Sequence, residues 1–455
     1  MRRGIALVAL MLAGCGTIQP PGPLNLPPVR LPEGRRLVAE RSGAYCIEAP
    51  RSFALTDFSG KQLARVGSRT GNARAYLTLA EGQSVYAEPR SLEFTFNRVR
   101  NIPDEYGNTP DRASPASIGS MRESSFYGYN DVDFAAFQVT RGGTYEIFTE
   151  NESHGMDAAL VLFNRNMHVV AAANHSIDRR PVIRCQLDPG AYSLCIFPDY
   201  AVMQGTYAFR IQATDSSPEP SYSRLMYPGR LFGLSIGEAH VSHYLVDALN
   251  DALTMDTILK QWGAERPSLF VDAPYITSDD LSAEYVERTL AGFADIVTPR
   301  DTFVFYFAGH GDRRDNVAYL PLRFGRITED RLNELLDDIP GRQLVIIDSC
   351  FSGNFREMLE DPRRTIYAST SENQVGYANL RFQFDDPIMN NFMVFSGFLW
   401  LELQRNHSDT DALFTEIVDR MGMQNMPNLM LGITPIPIAY PNQVPTSDGP
   451  SFQLE

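Results

Sequence analysis

Hydrophobic and polar residues follow different patterns in the two halves of the chain. In the first half, apolar residues take every second position of short runs separated by turn residues, a pattern typical of small antiparallel strands. The runs form two groups, at residues 36–100 and 123–214. Residues 101–122 between them are rich in Pro, Ser, Asn and Gly and indicate a linker. The first half is therefore predicted to be all β, in two modules.

The second half, over residues 226–445, alternates apolar runs with amphipathic segments. The run 302–308 is apolar throughout, as expected of a strand buried on both faces. Apolar residues at three- and four-residue steps predict a helix over 245–262, and Thr277 with Asp280 forms a capping box that predicts another. The inner stripe predicted for that second helix is Tyr285, Thr289, Phe293 and Ile296. This order predicts a mainly parallel sheet flanked by helices, so the fold class is multidomain, all-β followed by α/β.

Length and charge narrow the classes of function. The chain has 455 residues, of which 44% are hydrophobic and 21% charged, so it has ample apolar material for folded domains. Its formal net charge is −15. An acidic chain repels the phosphate backbone, which argues against a nucleic-acid partner and leaves cationic substrates or calcium as ligands.

The amino terminus has the pattern of an export signal. A basic start at residues 1–3 precedes the apolar run 5–13, which is far too short to span a membrane and is typical of a secretory signal. The run ends in Leu12-Ala13-Gly14-Cys15, which resembles the lipobox of bacterial lipoproteins. Simple signal cleavage, with the cysteine incidental, is the alternative.

The lipobox resemblance implies where the protein resides. Residues 1–14 would be the signal peptide, and Cys15 would carry the lipid on its sulfur. Residues 15–35 are rich in proline and are predicted to be a semi-rigid tether. The protein is then expected outside the cytoplasm, anchored by lipid to a bacterial membrane.

Four short motifs in the second β module point to a known sandwich. They are Asp131-x-Asp133-Phe134, Asp157-Ala158, Leu187-Asp188-Pro189-Gly190-x-Tyr192 and Gly205-x-Tyr207. Together they resemble the pre-peptidase C-terminal β-sandwich common on secreted bacterial proteases. Candidate calcium ligands here, which more often simply cap turns, are Asp131, Asp133 and Asp157.

The two β modules also resemble each other. Residues 44–47 (Ala-Tyr-Cys-Ile) are similar to 144–147 (Thr-Tyr-Glu-Ile). Residues 79–82 (Leu-Ala-Glu-Gly) are similar to 187–190 (Leu-Asp-Pro-Gly). Duplication of one module is therefore an open interpretation.

The cysteines are too few for a disulfide scaffold in a chain of this length. Cys185 and Cys195 flank the turn at 188–190 and are expected to lie opposite each other on paired strands. One disulfide among Cys46, Cys185 and Cys195 is predicted for a protein outside the cytoplasm, with its connectivity left open.

The candidate chemistry lies where two predicted strands end. One strand runs into Ala308-Gly309-His310-Gly311 and another into Asp348-Ser349-Cys350. Because parallel strands present their carboxyl ends at one edge of a sheet, His310 and Cys350 are expected to meet there. A thiol, a base within reach and glycines that admit a substrate carbonyl are what nucleophilic catalysis requires. A structural cysteine and an unrelated histidine are the alternative.

These motifs resemble the His-Gly and Asp-x-Cys-x-Ser-Gly blocks of the caspase-like cysteine peptidases, over residues 226–400. Asn250-Asp251-Ala252 is similar to the Asn-Asp-Ala of the metacaspase branch. The resemblance implies that Cys350 is the nucleophile and that His310 is the general base and acid. It also implies that the N–H groups of Gly311 and Cys350 are the oxyanion donors.

The same resemblance implies a specificity. Asp348 and Asp251 match the two acids that line the first specificity pocket of metacaspases. Two carboxylates in one pocket would bind Arg or Lys through charge-assisted hydrogen bonds. The expected substrate is a protein or peptide with a basic residue before the cut.

The chain also departs from the family pattern. Phe351 stands where metacaspases usually carry His, and the segment 355–365 is short, so activity is expected without cleavage into subunits. No cofactor is required, although calcium has candidate ligands at Asp312, Asp315, Asp337 and Asp338. Glu238, His240 and His243 lack a further ligand at clear spacing and are interpreted as loop and helix-start residues, not as a metal site.

Two other functions remain open from the sequence. One is a catalytically inactive caspase-like surface or assembly lipoprotein that binds partners through its β modules. The other keeps the peptidase but gives it legumain- or clostripain-like specificity.

Overall fold

The computed structural model describes residues 34–41, 43–56, 62–66, 73–79, 82–98, 106–126, 131–150, 158–174, 181–198, 205–215, 220–239, 245–272, 281–359, 361–376, 391–424 and 445–455. The predicted signal peptide, Cys15 and most of the tether lie outside the described residues. So do Asp157, His240 and His243.

The first β module consists of two facing sheets. Its strands are β1 (Arg35–Val38), β2 (Gly43–Ala49), β3 (Phe53–Thr56), β4 (Gln62–Val66), β5 (Ala73–Leu79), β6 (Ser84–Glu88) and β7 (Thr95–Arg98). One sheet has the order β1-β6-β3-β4 and the other the order β5-β2-β7. The alternating apolar side chains of both sheets form one core, which includes Tyr45, Ile47, Leu55, Leu77 and Val85.

The second module is a larger sandwich of the same kind. Its strands are β8 (Ser114–Pro115), β9 (Met121–Phe126), β10 (Asp133–Val139), β11 (Gly143–Glu150), β12 (Ala158–Asn164), β13 (Val169–Ala173), β14 (Val182–Leu187), β15 (Gly190–Pro198) and β16 (Gly205–Ala213). The sheet orders are β13-β12-β15-β10-β8 and β14-β11-β16-β9. Part of the predicted linker belongs to this sandwich, because Tyr106 packs in its core and β8 pairs with β10.

Asp133 ties three strands of this sandwich together. It is completely buried and accepts hydrogen bonds from the hydroxyls of Ser124 on β9 and Tyr207 on β16. Two of the motif residues singled out in the sequence therefore contact each other inside the sandwich. Asp133 therefore has a structural role in the sandwich.

The two β modules share one topology. In chain order β1 to β7 correspond to β10 to β16, because the sheet order β1-β6-β3-β4 matches β10-β15-β12-β13, and β5-β2-β7 matches β14-β11-β16. Leu79 and Leu187 each pair with the glycine that opens β2 or β11. The hydroxyls of Tyr45 and Tyr145 each donate to the carbonyl four residues earlier, at 2.8 Å. The similarity noted in the sequence is thus a similarity of fold, as duplication would produce.

The predicted disulfide is wrong for the four cysteines that the structure describes, since none of them is bridged. Cys185 lies on β14 and Cys195 on β15, which belong to different sheets. The turn at 188–190 crosses from one sheet to the other and does not close a hairpin. The two thiols therefore never lie opposite each other on paired strands.

The remaining elements form an α/β domain. Its strands are β17 (Leu231–Glu238), β18 (Pro267–Asp272), β19 (Thr302–Ala308), β20 (Asp312–Arg314), β21 (Val317–Pro321), β22 (Arg326–Thr328), β23 (Arg342–Asp348), β24 (Arg364–Ala368) and β25 (Thr446–Asp448). The main sheet has the order β18-β17-β19-β23-β24-β25, all parallel except β25. The predicted fold class, all-β followed by a mainly parallel α/β part, is confirmed.

Helices cover both faces of this sheet. They are α1 (Val246–Gln261), α2 (Ala283–Ile296), α3 (Glu329–Asp337), α4 (Gly353–Met358), α5 (Val394–Leu403) and α6 (Thr410–Gln424). The apolar stripes of α1, α5 and α6 pack on one face and those of α2 and α3 on the other. No helix within the described ranges is long and apolar enough to cross a membrane.

The predicted first residue of α2 and its predicted stripe of buried side chains both need correction. Its N-cap is Ser282, whose hydroxyl accepts a hydrogen bond from the N–H of Tyr285 at 3.1 Å, so the helix does not begin at the predicted capping box. The buried side chains are Val286, Leu290 and Phe293, and only the last belongs to the predicted stripe. The buried residues are thus offset by about one position from the first two of the predicted stripe, and the predicted capping box itself, Thr277 with Asp280, lies outside the described residues.

Candidate active site

His310 and Cys350 follow the carboxyl ends of two adjacent parallel strands. In the pairing of β19 with β23, Ala308 lies opposite Asp348. Just beyond, the N–H of Gly309 donates to the carbonyl oxygen of Asp348 at 3.1 Å. Both His310 and Cys350 are partly exposed. The structure therefore brings the two predicted residues to the same edge of the sheet.

Gly311 packs directly against the backbone of Cys350. A Cβ at position 311 would stand 2.0 Å from the carbonyl oxygen of Cys350 and 2.8 Å from the hydroxyl oxygen of Ser349. No side chain fits at such distances. Glycine at 311 is thus what allows the turn carrying His310 to touch the turn carrying Cys350.

Hydroxyl groups hold the turn that carries Cys350. The N–H of Ser352 donates to Oγ1 of Thr370 at 3.0 Å, and the N–H of Thr370 donates back to Oγ of Ser352 at 3.0 Å. Earlier in the turn, the N–H of Ser349 donates to Oγ of Ser369 at 3.2 Å. These bonds fasten the nucleophile turn to the residues that follow β24.

Phe351 adopts a backbone conformation that is uncommon for a bulky residue. Its φ of 58° lies in the left-handed region. Its N–H donates to the carbonyl of Gln374 at 2.8 Å, and the thiol of Cys350 lies 3.9 Å from the carbonyl of Gly376. Residues 374–376 therefore run beside the nucleophile. Strained conformations of this kind are common at functional sites.

Asp348 is completely buried behind the nucleophile. Its Oδ2 accepts hydrogen bonds from the N–H of Ser396 at 3.0 Å and from the hydroxyl of Ser396 at 2.7 Å. Its Oδ1 is buried without a hydrogen-bond partner among the described residues. Burial raises the pKa of Asp348 to about 6, and the hydroxyls of Ser396 and Ser369 partly offset that rise.

Asp251 lies close to Asp348 and is also completely buried. Its Oδ2 accepts from the N–H of Met393 at 3.0 Å, and its Oδ1 accepts from Nε1 of Trp400 at 3.1 Å. Burial and repulsion from Asp348 raise the pKa of Asp251 well above its usual value, against these two hydrogen bonds. The two predicted pocket acids are thus brought together, and α5 with the residue before it covers both.

The sequence reasoning missed the residues of α5 that hold these acids. Ser396 also hydrogen-bonds the hydroxyl of Tyr306 at 2.6 Å, and the tyrosine pKa is raised well above its usual value, chiefly by burial. A signal was present, because Ser396 and Glu402 are the two polar side chains in the otherwise apolar run 392–403. A lone hydroxyl in a buried helix needs a polar partner.

No metal site is found among the described residues, where no three His, Cys, Asp or Glu side chains are grouped to hold an ion. The four candidate calcium ligands of the α/β domain accordingly form no such group. Asp312 instead accepts from the hydroxyl of Tyr319, and Asp337 pairs with Arg364 at 2.7 Å. These acids have protein partners that account for them.

Comparison with known proteins identifies the α/β part. Residues 232–426, less than half of the chain, match the family model described as "Caspase domain". The caspase-like resemblance is thereby confirmed for this region, whereas the metacaspase branch and the lipoprotein signal stay predictions. No curated protein matches the chain significantly.

Two solved structures are similar to parts of the chain. One is the pre-peptidase C-terminal domain of collagenase from Bacillus anthracis, which is 19% identical and has a TM-score of 0.20, with 25% of this chain and 99% of that chain covered. The other is a protein from Geobacter sulfurreducens, 16% identical with a TM-score of 0.36, with 48% of this chain and 93% of that chain covered.

Proposed function

We propose that this protein is a caspase-like cysteine endopeptidase that cleaves proteins or peptides after Arg or Lys. The observation that carries the proposal is the backbone contact between Gly311 and Cys350 at the ends of β19 and β23, in a region that matches the caspase domain. This contact joins the turn with the imidazole to the turn with the thiol. Partial exposure of both residues leaves them accessible to a substrate.

The chemistry assigned to these residues is acyl transfer. His310 takes the proton of the Cys350 thiol, and the thiolate attacks the carbonyl carbon of the scissile peptide. The N–H groups of Gly311 and Cys350 stabilise the negative oxygen that forms. His310 then gives its proton to the leaving amine, and water, deprotonated by the same imidazole, hydrolyses the thioester.

The specificity is assigned to the two buried acids. Asp348 has one carboxylate oxygen without a hydrogen-bond partner among the described residues, and the neighbouring Asp251 adds a second carboxyl group. Two carboxyl groups packed this closely repel each other, and a guanidinium or ammonium group would relieve that repulsion. A basic side chain before the cut therefore suits this site better than a neutral or acidic one.

The location is part of the same proposal. Cys15 would carry the lipid, and the protein would act outside the cytoplasm from a bacterial membrane. Incorporation of labelled palmitate into the chain, and its loss in Cys15→Ser, would test this. Equal labelling of both proteins would contradict it.

Peptide hydrolysis tests the enzymatic proposal. The purified full chain should release the fluorophore from peptides ending in Arg or Lys and not from matched peptides ending in Asp or Leu. Cys350→Ala should abolish the activity, whereas Cys185→Ala, a thiol on β14 of the sandwich, should retain it. Equal hydrolysis by wild type and Cys350→Ala, or none by either, would instead support an inactive caspase-like protein.

A further inference from the structure

The second sandwich shares an apolar core with the α/β domain. Strand β12 is buried on both faces: Leu160 and Leu162 point into the sandwich, whereas Val161 and Phe163 belong to a cluster that crosses to the other domain. The α/β side of that cluster consists of Ala239, Val246 and Leu249. The outer face of the sandwich is therefore packed against the start of α1.

Asn250, on α1, hydrogen-bonds the edge of the sandwich as a neighbouring strand would. Its Oδ1 accepts from the N–H of Ala172 at 2.9 Å, and its Nδ2 donates to the carbonyl of Ala172 at 2.5 Å. Ala172 lies on β13, the outermost strand of its sheet. Nδ2 also donates to the carbonyl of Asn391 at 3.0 Å. The side chain thus joins α1, the sandwich and the segment before α5.

Asn391 makes the matching contacts from that segment. Its Oδ1 accepts from the N–H of Asn174 at 3.2 Å, and its Nδ2 donates to the carbonyl of Val182 at 2.8 Å. These partners follow β13 and open β14, so one side chain holds both sheets of the sandwich. Only 3% of Asn391 is exposed, so these bonds are shielded from solvent.

Asn250 adjoins one of the two pocket acids, and Asn391 lies just before the residues that hold both acids. Asn250 precedes Asp251 in the chain, and two residues after Asn391 the N–H of Met393 bonds to that acid. One turn further, Ser396 bonds to Asp348. The position of the first turn of α5 therefore depends on the sandwich at one end and supports the acids at the other.

We propose that Asn250 and Asn391 are positioning residues, through which the second sandwich fixes the helix that holds Asp251 and Asp348. The sandwich then contributes to the shape of the specificity pocket. The kinetic part of this inference rests on the proposed function, whereas its structural part does not.

Two variants and a matched control test the proposal. Asn250→Ala and Asn391→Ala each remove bonds to the sandwich. Asn164→Ala removes an asparagine of the same sandwich whose Oδ1 caps its own hairpin turn. In the first two variants we expect KM for Arg peptides to rise about tenfold, because a tenfold change corresponds to the free energy of roughly one buried hydrogen bond. We expect kcat to change less than about twofold, because the hydroxyls of Ser369 and Thr370, which lie outside α5, fasten the nucleophile turn.

Hydrogen exchange gives a readout that needs no activity. The amides of residues 393–396 should exchange faster in both variants and at the wild-type rate in Asn164→Ala. If the wild type hydrolyses no Arg peptide, the proposed function fails and exchange alone decides the inference. Unchanged exchange, or a fall in kcat with KM unchanged, would overturn it. The inference would also be overturned if both alanine variants and the milder Asn391→Ser lost cooperative unfolding, because the asparagines would then be needed only for folding.

Discussion

The Cα of Gly311 lies against the carbonyl oxygen of Cys350, so that the two turns at the candidate active site touch through their backbones. Strand pairing alone places the ends of β19 and β23 side by side. The additional contact sets the distance between the turns that follow them. Several consequences of this arrangement and of its buried charges can be measured.

Gly311→Ala should inactivate the protein. The new Cβ would stand 2.0 Å from the carbonyl oxygen of Cys350, so the two turns must separate. We expect peptide hydrolysis to fall by at least about a hundredfold, since displacement of about 1 Å at catalytic groups has such effects. Gly292→Ala is the control, because a Cβ there meets no atom within 4 Å in helix α2. Its activity should be unchanged, and an active Gly311→Ala enzyme would contradict the assigned geometry.

Stability should depend on pH through Asp348. Burial raises its pKa to about 6 from the model-compound value of 3.8, so between these values the folded protein holds a proton that the unfolded chain releases. The free energy of unfolding should therefore fall as pH rises from about 4 to 6, by about 3 kcal/mol from this group. Urea denaturation of the wild type and Asp348→Asn at several pH values measures the difference. The exposed Asp315→Asn serves as the control. The prediction would be refuted if the free energy of unfolding of the wild type, relative to that of Asp348→Asn, stayed constant or rose between pH 4 and 6.

Asp251→Asn should weaken the preference for basic substrates. The amide keeps the shape and one acceptor, but its NH2 group faces one of the two donors that the carboxylate accepts from, and the negative charge is lost. We expect the ratio of kcat/KM for Arg over Leu peptides to fall roughly tenfold to a hundredfold, as for loss of one charged hydrogen bond. Hydrolysis of the two peptide series by both proteins measures it. An unchanged ratio would remove this carboxylate from substrate recognition.

Arg364→Ala should destabilise the α/β domain. The guanidinium is completely buried and donates to Gln343 at 2.8 Å and to Asp337 at 2.7 Å. Its removal leaves the buried side-chain oxygen of Gln343 without this donor, whereas the half-exposed Asp337 can be hydrated, so the expected cost is roughly 2 kcal/mol. Chemical denaturation measures the loss, with the exposed Arg314→Ala as control. Equal stability of the two variants would show that the hydrogen bonds of this buried guanidinium contribute little.

Reducing agent should leave the stability unchanged. Cys185 and Cys195 lie in different sheets and neither is bridged. We therefore expect the same melting temperature with and without dithiothreitol, and reaction of Cys185 and Cys350, which are partly exposed, with a maleimide. A lower melting temperature in the reduced protein would indicate a disulfide that this arrangement excludes.

The pattern of apolar positions predicted several local elements well. The run 302–308 became β19, and the steps between Leu245 and Trp262 became α1 almost at their predicted ends. The prediction was wrong for part of α2, which is capped by Ser282 and buries Val286 and Leu290. It also failed for Cys185 and Cys195, since a tight turn looks the same whether it closes a hairpin or crosses between sheets.

The sequence by itself determined the order of the β and α/β parts and the two turns that carry His310 and Cys350. These follow from local periodicity and from the rule that parallel strands end at a common edge. Only the tertiary structure decided that Ser396 and Trp400 hold the two acids and that Asn250 and Asn391 join them to the sandwich. Those contacts link residues far apart in the chain, and hydrogen bonds between such residues leave no periodic trace in the sequence.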